Sequence, residues 1–535
     1  MYSKTQDSPL NIGGFALDLA VYTCDGTFYR PGDWHAAEGG FVSHTLVSGD
    51  DGEAQPARDA ELRVRVAEAG PERVRFQLVA RHEHPIKAVK IALDLPFLPM
   101  LAPEEIGLKE ATWRQWDFPR DWRTGFAIWQ HGQRFFAVAT KETPWRFKRL
   151  RALRTGDRMR LEIIQDASLR ERTRRFESSI WEIGFRDELG SLLDDYGRFV
   201  QQAFGALEFH RRRDMPDWVR RLGLVVNLHG TDWNGTTNLD FAGMTRTAET
   251  LAGLFPPERT LLYPIGWDGR YMRNYPEYEP SPGLGGADGF RTFCGHARRL
   301  GFHLMPHLNA MAVNMRHPLY LTHLKDYVLR DYNGLPRHSF HIDWDHDGLG
   351  DAAHAYLALE PPALREILVA AVGRLVRDYG IDAVFLDETC NVFYNDPAWD
   401  QVEGVRRLVR DLHEAHPGLL IVGEEWNEML LGLTPVVQIW EETQDGRSGF
   451  GREKSPLMRA WAGRFIRACG YLALASPDGT TGVHEWPDKP WVDEQRNEAF
   501  YIPTLSITKH TLARGQAGIK ATVARALDYV ARFAP

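Results

Sequence analysis

The stretch GIDAVFLDETC, residues 380–390, ends an apolar run on two adjacent carboxylates, Asp387 and Glu388. LLIVGEEWNE, residues 419–428, does the same with Glu424 and Glu425. A buried strand tolerates few charges, so an acid at its end either meets water as a cap or does chemistry. Neighbouring strands lie about 4.8 Å apart. Two carboxylates at equal height can reach across a mouth to about 5–5.5 Å, the spacing of retaining glycoside hydrolysis. There one acid attacks the anomeric carbon and the other trades a proton, its pKa raised by burial and by the neighbouring negative charge. Side chains alternate along a strand, so Ala383, Phe385 and Asp387 share one face, and Leu420, Val422 and Glu424 another. Alternation alone leaves open which face meets the axis; Asp387 and Glu424 are the expected reacting pair, with Glu388 and Glu425 expected to cap the helices that follow.

The elements that must position this pair begin at residue 222, where the chain settles into strand, then helix, repeatedly. The pattern predicts strands at 222–229, 260–267, 302–309, 381–388, 419–425, 435–441, 471–476 and 501–508. Amphipathic runs between them predict helices, one of them SPLMRAWAGRFIRACG at 455–470. Continuous apolar strands separated by helices mean parallel pairing buried on both faces. Eight such units fit a (β/α)8 TIM barrel, whose sites lie at the C-terminal ends of the strands. An open doubly wound sheet is the alternative, but no G-x-G-x-x-G follows any strand. The predicted strand ends carry Asn227, His229, Trp267, Asp268, His307, Asn309 and Glu441, and the loop after strand seven carries Asp478, His484 and Glu485. Trp267, Asp268, His307, Asn309, Trp344 and Asp478 are the candidate substrate-binding residues.

The first 208 residues read differently. ELRVRVAEAGPERVRFQLVARHE alternates apolar and polar residues on both sides of a turn signal, which predicts a hairpin. GFAIWQHGQRFFAVATKE predicts another, and DRMRLEIIQD a further strand. Many short strands closed by a helix, LGSLLDDYGRFVQQAF, predict an N-terminal β-sandwich at 1–208. FHRRRDMPDWVRR (209–221) reads as a charged linker, and 222–535 as the barrel, with an insertion at 310–362 after strand three. The fold class is thus α/β, a barrel preceded by a sandwich.

Composition narrows the partners. The 535 residues carry a net charge of −8, which disfavours nucleic acid and anionic membranes. No run of 18 apolar residues exists, so no transmembrane helix is expected. The first residues lack a basic region followed by an apolar stretch, so the expectation is a cytoplasmic chain without a secretory signal. Four scattered cysteines form no C-x-x-C pair, which gives no zinc knuckle or redox motif. Tryptophan and tyrosine number 17 each, and loop tryptophans such as Trp233, Trp267, Trp344, Trp426 and Trp486 would suit the apolar faces of sugar rings. DWDHDGLGD (343–351) sets Asp343, Asp345, Asp347 and Asp351 around Gly348, a partial match to a calcium loop with His354 where a bidentate Glu is expected. A calcium ion there would order the insertion; the chemistry itself requires no cofactor.

FLD at Asp387, VGEEW at Glu424 and HLN at the end of strand three resemble retaining α-glycosidases of the α-amylase superfamily, over roughly residues 222–510. That resemblance implies Asp387 as nucleophile, Glu424 as acid/base, and α-linked glycosides as substrates. Phe385 stands where the α-amylase pattern has an arginine, so an α-1,4-glucan is not implied. Asp478 is the candidate for the third carboxylate of that pattern. The N-terminal β region resembles the large sandwich that precedes the barrel in endo-α-N-acetylgalactosaminidase-like families. The expected function is a retaining glycoside hydrolase with a carbohydrate substrate. Two other readings stay open: a metal-dependent barrel enzyme that holds Mg²⁺ for proton abstraction, and a glycan-binding protein without catalysis.

Overall fold

The computed structural model describes the chain except residues 1–8, 49–54, 144, 171–172, 232–234, 270–272, 332, 340–353, 391–395, 440–454, 471–497, 510–515 and 535. It falls into two compact units, one of Met1–Phe204 with Tyr394–Ala398 and Glu453–Trp461, the other of Gly205–Phe393 with Trp399–Arg452 and Ala462–Pro535.

The first unit is β-rich. Alternating sequence becomes alternating burial: Glu61–Ala69 and Arg73–Arg81 pair antiparallel, as do Phe126–His131 and Arg134–Thr140, and Lys148–Thr155 and Arg158–Asp166. These strands belong to two eight-stranded sheets. Leu62, Val64, Val74, Phe76 and Leu78 from one sheet share a single apolar core with Leu161 and Ile163 from the other. The helix Gly190–Phe204 follows them.

The second unit alternates strands and helices. One parallel sheet runs His303–Leu304, Thr260–Ile265, Leu224–His229, Thr504–Ile507; the other runs His307–Asn309, Ala383–Asp387, Leu420–Glu424, Val436–Ile439, Arg467–Gly470. Pro306 has no N–H to donate, and the expected strand 302–309 is split there into two pieces. Backbone hydrogen bonds link the sheets at this split, from Met305 N to Leu262 O (2.9 Å) and from Asp382 N to Leu304 O (3.1 Å). They link them again where Ala468 and Tyr501 bridge in parallel.

One element departs from expectation. Residues 455–470 do not form one helix. The helix is Pro456–Ala462, a turn follows with Phe465 and Ile466 N–H both donating to Ala462 O, and Arg467–Gly470 is a strand paired with Val436–Ile439. Pairing four backbone positions in a sheet, three of them buried, outweighs prolonging a short helix, since buried N–H and C=O groups must find partners. The expected strand 471–476 lies outside the described residues. The segment 209–221 is packed rather than extended: it forms two short 3-10 turns, and Phe209, Met215 and Val219 join the apolar cluster of the second unit. Within 310–362, Ala312–Asn314, His338–Ser339 and His354–Tyr356 make a small antiparallel sheet.

Candidate active site

The parity of the parallel strands decides which side chains meet. Val225, Leu261, Tyr263, Met305, Ala383, Phe385, Leu420, Val422, Val436 and Cys469 form one interior cluster. These are alternate residues, so the next positions of the same parity continue the same face. They are Asn227, His307, Asn309, Asp387, Glu424 and Gln438, all buried. An apolar interior thus changes to a polar ring at the C-terminal ends of its strands.

Asp387 and Glu424 stand one step beyond the paired residues Leu386 and Gly423. Asp387 is gripped from the neighbouring strand. Asn309 Nδ2 donates to its Oδ2 at 3.2 Å, and His307 Nε2 lies 3.6 Å from the same oxygen. Both grips are themselves fixed. His307 Nδ1 is 2.7 Å from the Tyr263 hydroxyl, and Asn309 Oδ1 accepts from the N–H groups of Met311 and Ala312. The hydroxyl of Tyr278 meets Asn309 N and O, at 3.0 Å each.

Glu424 is gripped from the turn after Asp387. The Glu388 N–H donates to its Oε2 at 2.8 Å, and the Cys390 thiol lies 3.6 Å from that oxygen. The Thr389 hydroxyl accepts from Glu424 N (2.8 Å) and donates to Glu424 O (3.2 Å). Turning the backbone this sharply puts Glu388 at φ 63°. Glu425 has φ 54°, and its N–H donates to Gln438 O at 2.7 Å. Among the described residues Ala111 alone joins these two as a left-handed non-glycine. Such strain persists where surroundings enforce it, and it gathers at functional sites.

Neither Glu388 nor Glu425 caps a helix, contrary to expectation. The helix after Asp387 begins at Gln401 and is capped by Asp400, whose side chain accepts from Glu403 N. After Glu424 a 3-10 turn follows at Leu430–Gly432, and it is Asn427 whose Oδ1 accepts from Met429 and Leu430 N–H at its start. Freed from that task, the Glu388 side chain is buried beside the pair. Its carboxyl pKa stands well above the usual range, first because burial penalises its charge, then because Asp387 and Glu424 are negative nearby. Tyr356 and Asn309 hydrogen-bond it, while its Oε2 has no partner among the described residues. Burial also pushes the Asp268 carboxyl up to about 8. Tyr275 and Tyr278 are raised by burial and then by the charges of Asp268 and Asp387, which puts Asp268 in the same neighbourhood. His229 is pushed down to about 4 by burial alone, so its ring is neutral.

The structure therefore brings together Asp387, Glu424, His307 and Asn309, with Asp268 near them. Trp267 is fully buried; its Nε1 donates to His307 O at 3.0 Å, and its ring stacks on Phe290. Trp344, Asp478 and the acidic loop Asp343, Asp345, Asp347 and Asp351 lie outside the described residues, as do Glu441, His484 and Glu485. Among the described residues no three His, Cys, Asp or Glu gather as a metal site. Sequence reading missed Tyr263, Tyr275, Tyr278, Tyr356, Thr389 and Gln438, and gave Glu388 a capping role instead of a place beside the pair. Tyr263 and Gln438 carried a signal, a polar atom at inward parity in an apolar strand. Tyr275, Tyr278 and Tyr356 sit on connections whose course no periodicity announces.

Solved structures share this fold. Alpha-N-acetylgalactosaminidase NagBb from Bifidobacterium bifidum, in its Gal-NHAc-DNJ complex, matches with a TM-score of 0.69 at 14% identity, covering 98% of this chain and 93% of that one. Its GalNAc complex matches with 0.64 at 15% identity, over 85% and 79% of the two chains. GH36 alpha-galactosidase AgaA from Geobacillus stearothermophilus gives 0.48 at 12% identity, over 96% and 75%. At these identities the likeness to the alpha-N-acetylgalactosaminidase is one of fold alone: mixed α/β with a β-rich N-terminal region. Among curated proteins, none matches the chain in sequence. Residues 196–471, more than half of the chain, match the family described as Domain of unknown function (DUF6259), and the chain belongs to that family.

Proposed function

We propose that the chain is a retaining hydrolase of α-linked glycosides. In this reading the two parallel sheets close as a (β/α)8 barrel over 222–535, preceded in the sequence by a sandwich at 1–208. Asp387 attacks the anomeric carbon while Glu424 protonates the departing oxygen. Water then hydrolyses the glycosyl-enzyme ester, with Glu424 taking its proton. The observation that carries the reading is the pair itself: two buried acids on adjacent strands of one inward face, Asp387 bonded by Asn309 with His307 beside it, and Glu424 bonded by the Glu388 N–H and the Cys390 thiol. His307 and Asn309 aim the Asp387 oxygen, so little reorganisation is needed at the moment of attack. Burial and the two neighbouring carboxylates raise the Glu388 pKa, which favours its neutral form and limits the negative charge beside the pair. The fold shared with an alpha-N-acetylgalactosaminidase makes α-linked N-acetylgalactosamine and galactose the first glycosides to test.

The test is a panel of aryl α-glycosides with graded leaving groups, and a measurement of the product anomer. Asp387→Ala is expected to abolish turnover of an activated glycoside. Glu424→Ala is expected to slow poor leaving groups far more than activated ones, because the latter depart without a proton. Equal losses for both kinds, or an inverted first product, would overturn the assignment.

A further inference from the structure

Among the described residues the buried glutamines are satisfied, with one exception. Gln401 accepts from Leu359 N at 2.9 Å and reaches Leu357 O at 3.4 Å. Gln165 donates to Glu142 and accepts from the Trp181 indole at 3.0 Å. Gln438 is fully buried, yet among the described residues neither its Nε2 nor its Oε1 has a hydrogen-bond partner. A buried amide left unpaired costs about 1–3 kcal/mol, so such a group needs an explanation.

Its position supplies one. Gln438 follows the interior residue Val436 at the same parity, which turns its side chain to the interior. It pairs in register with Glu424 on one side and Cys469 on the other. Asp387, Glu424 and Gln438 thus stand at matching height on three consecutive strands, in that order. In double displacement the leaving group departs on the side of the acid, away from the nucleophile. Gln438 lies on that side.

We propose that Gln438 is the residue that binds the leaving group, and that the natural leaving group carries a donor and an acceptor side by side, as the vicinal hydroxyls of a second sugar do. A primary amide presents one donor edge and one acceptor edge in a plane, and two adjacent hydroxyls satisfy both. This inference rests on the glycosidase reading. It adds to it that the natural substrate is a sugar linked to a sugar, not to an apolar aglycone.

The test compares a disaccharide and a phenyl glycoside of the same α-linked sugar, in the full chain and in Gln438→Met, which keeps length and removes both polar atoms. Two hydrogen bonds of ordinary strength predict that the ratio of kcat/KM for disaccharide over phenyl glycoside falls roughly tenfold or more. The melting temperature of the variant is expected to hold or rise, since an unpaired buried amide is removed. A ratio unchanged in the variant, with an active wild type, would overturn the inference and leave the glycosidase reading intact. A variant that melts well below wild type would assign Gln438 a structural role and overturn it as well. A wild type that cleaves neither compound, nor any aryl α-glycoside, would remove the reading and this inference with it.

Discussion

At the scale of the residue, the site is a problem of too much negative charge in too little water. Asp268, Asp387, Glu388 and Glu424 are all buried. The chain answers by keeping some of them protonated. Asp268 is the measurable case. Its folded pKa is pushed up to about 8 by burial, against an ordinary carboxyl value of about 3.9. Between those values the folded chain holds a proton that the unfolded chain has released, so stability falls as pH rises through that window and is flat above it. Asp268→Asn keeps the shape of the neutral acid and removes the titration. The variant is expected to gain on wild type by a few kcal/mol between pH 5 and pH 8. Urea denaturation of both proteins at the two pH values measures it, and parallel pH dependences would mean that Asp268 is ionised in the fold. Which residues could be read in advance follows from the same physics. Asp387, Glu424, His307 and Asn309 stood out because polar groups at the ends of apolar strands are rare. Glu388 was misjudged because its role depends on one backbone torsion that no pattern encodes.

At the scale of the element, the turn after Asp387 does the positioning. Glu388, Thr389 and Cys390 reach Glu424 with three successive residues, two of them at its side-chain oxygen and one at its backbone. Gly423 makes room: a Cβ there would lie 2.9 Å from Thr389 Oγ1 and 3.1 Å from Thr434 Cγ2. Thr389→Val keeps the shape but leaves the N–H and C=O of Glu424 without this partner, at a cost of about 1–3 kcal/mol. It is expected to lower the melting temperature and to lower kcat/KM about tenfold for poor leaving groups, with a smaller loss for activated ones. Thr389→Ser is expected to restore most of both. Failure of the serine to rescue would show that the hydroxyl is not what matters. The strands and helices themselves were legible wherever an apolar run was long. The exception is Arg467–Gly470, four residues opening on a charged side chain, where no helix-or-strand period can be established and pairing with Val436–Ile439 decides.

At the scale of the whole molecule, the second unit keeps its polar ring and its tied-down entry segment at opposite ends of its strands. The polar ring lies at their C-terminal ends. At the N-terminal ends the packed segment 209–221 is tied down by Arg212, which sequence reading placed in a charged linker because four basic residues stand within FHRRR. A run of charge usually means a solvated face, yet here Arg212 is only 1% exposed. Its charge is met from inside: Nη1 donates to Leu431 O at 2.6 Å and to Phe465 O at 3.4 Å, and the guanidinium pairs with Asp214. Leu431 and Phe465 precede the strands Val436–Ile439 and Arg467–Gly470, so one side chain binds the segment before the first strand to the entries of two later ones. Arg212→Ala frees those carbonyls and unpairs Asp214, whose side chain is 30% exposed and so retains some solvation. The expected loss is about 2–3 kcal/mol, below that of breaking a fully buried pair. Because the loss falls at the end away from Asp387 and Glu424, kcat of the folded variant is expected to match wild type well below its melting temperature. A melting curve and a turnover measurement on the same sample check both halves, and a kcat that falls while the fold is intact would mean that the two ends are coupled through the strands.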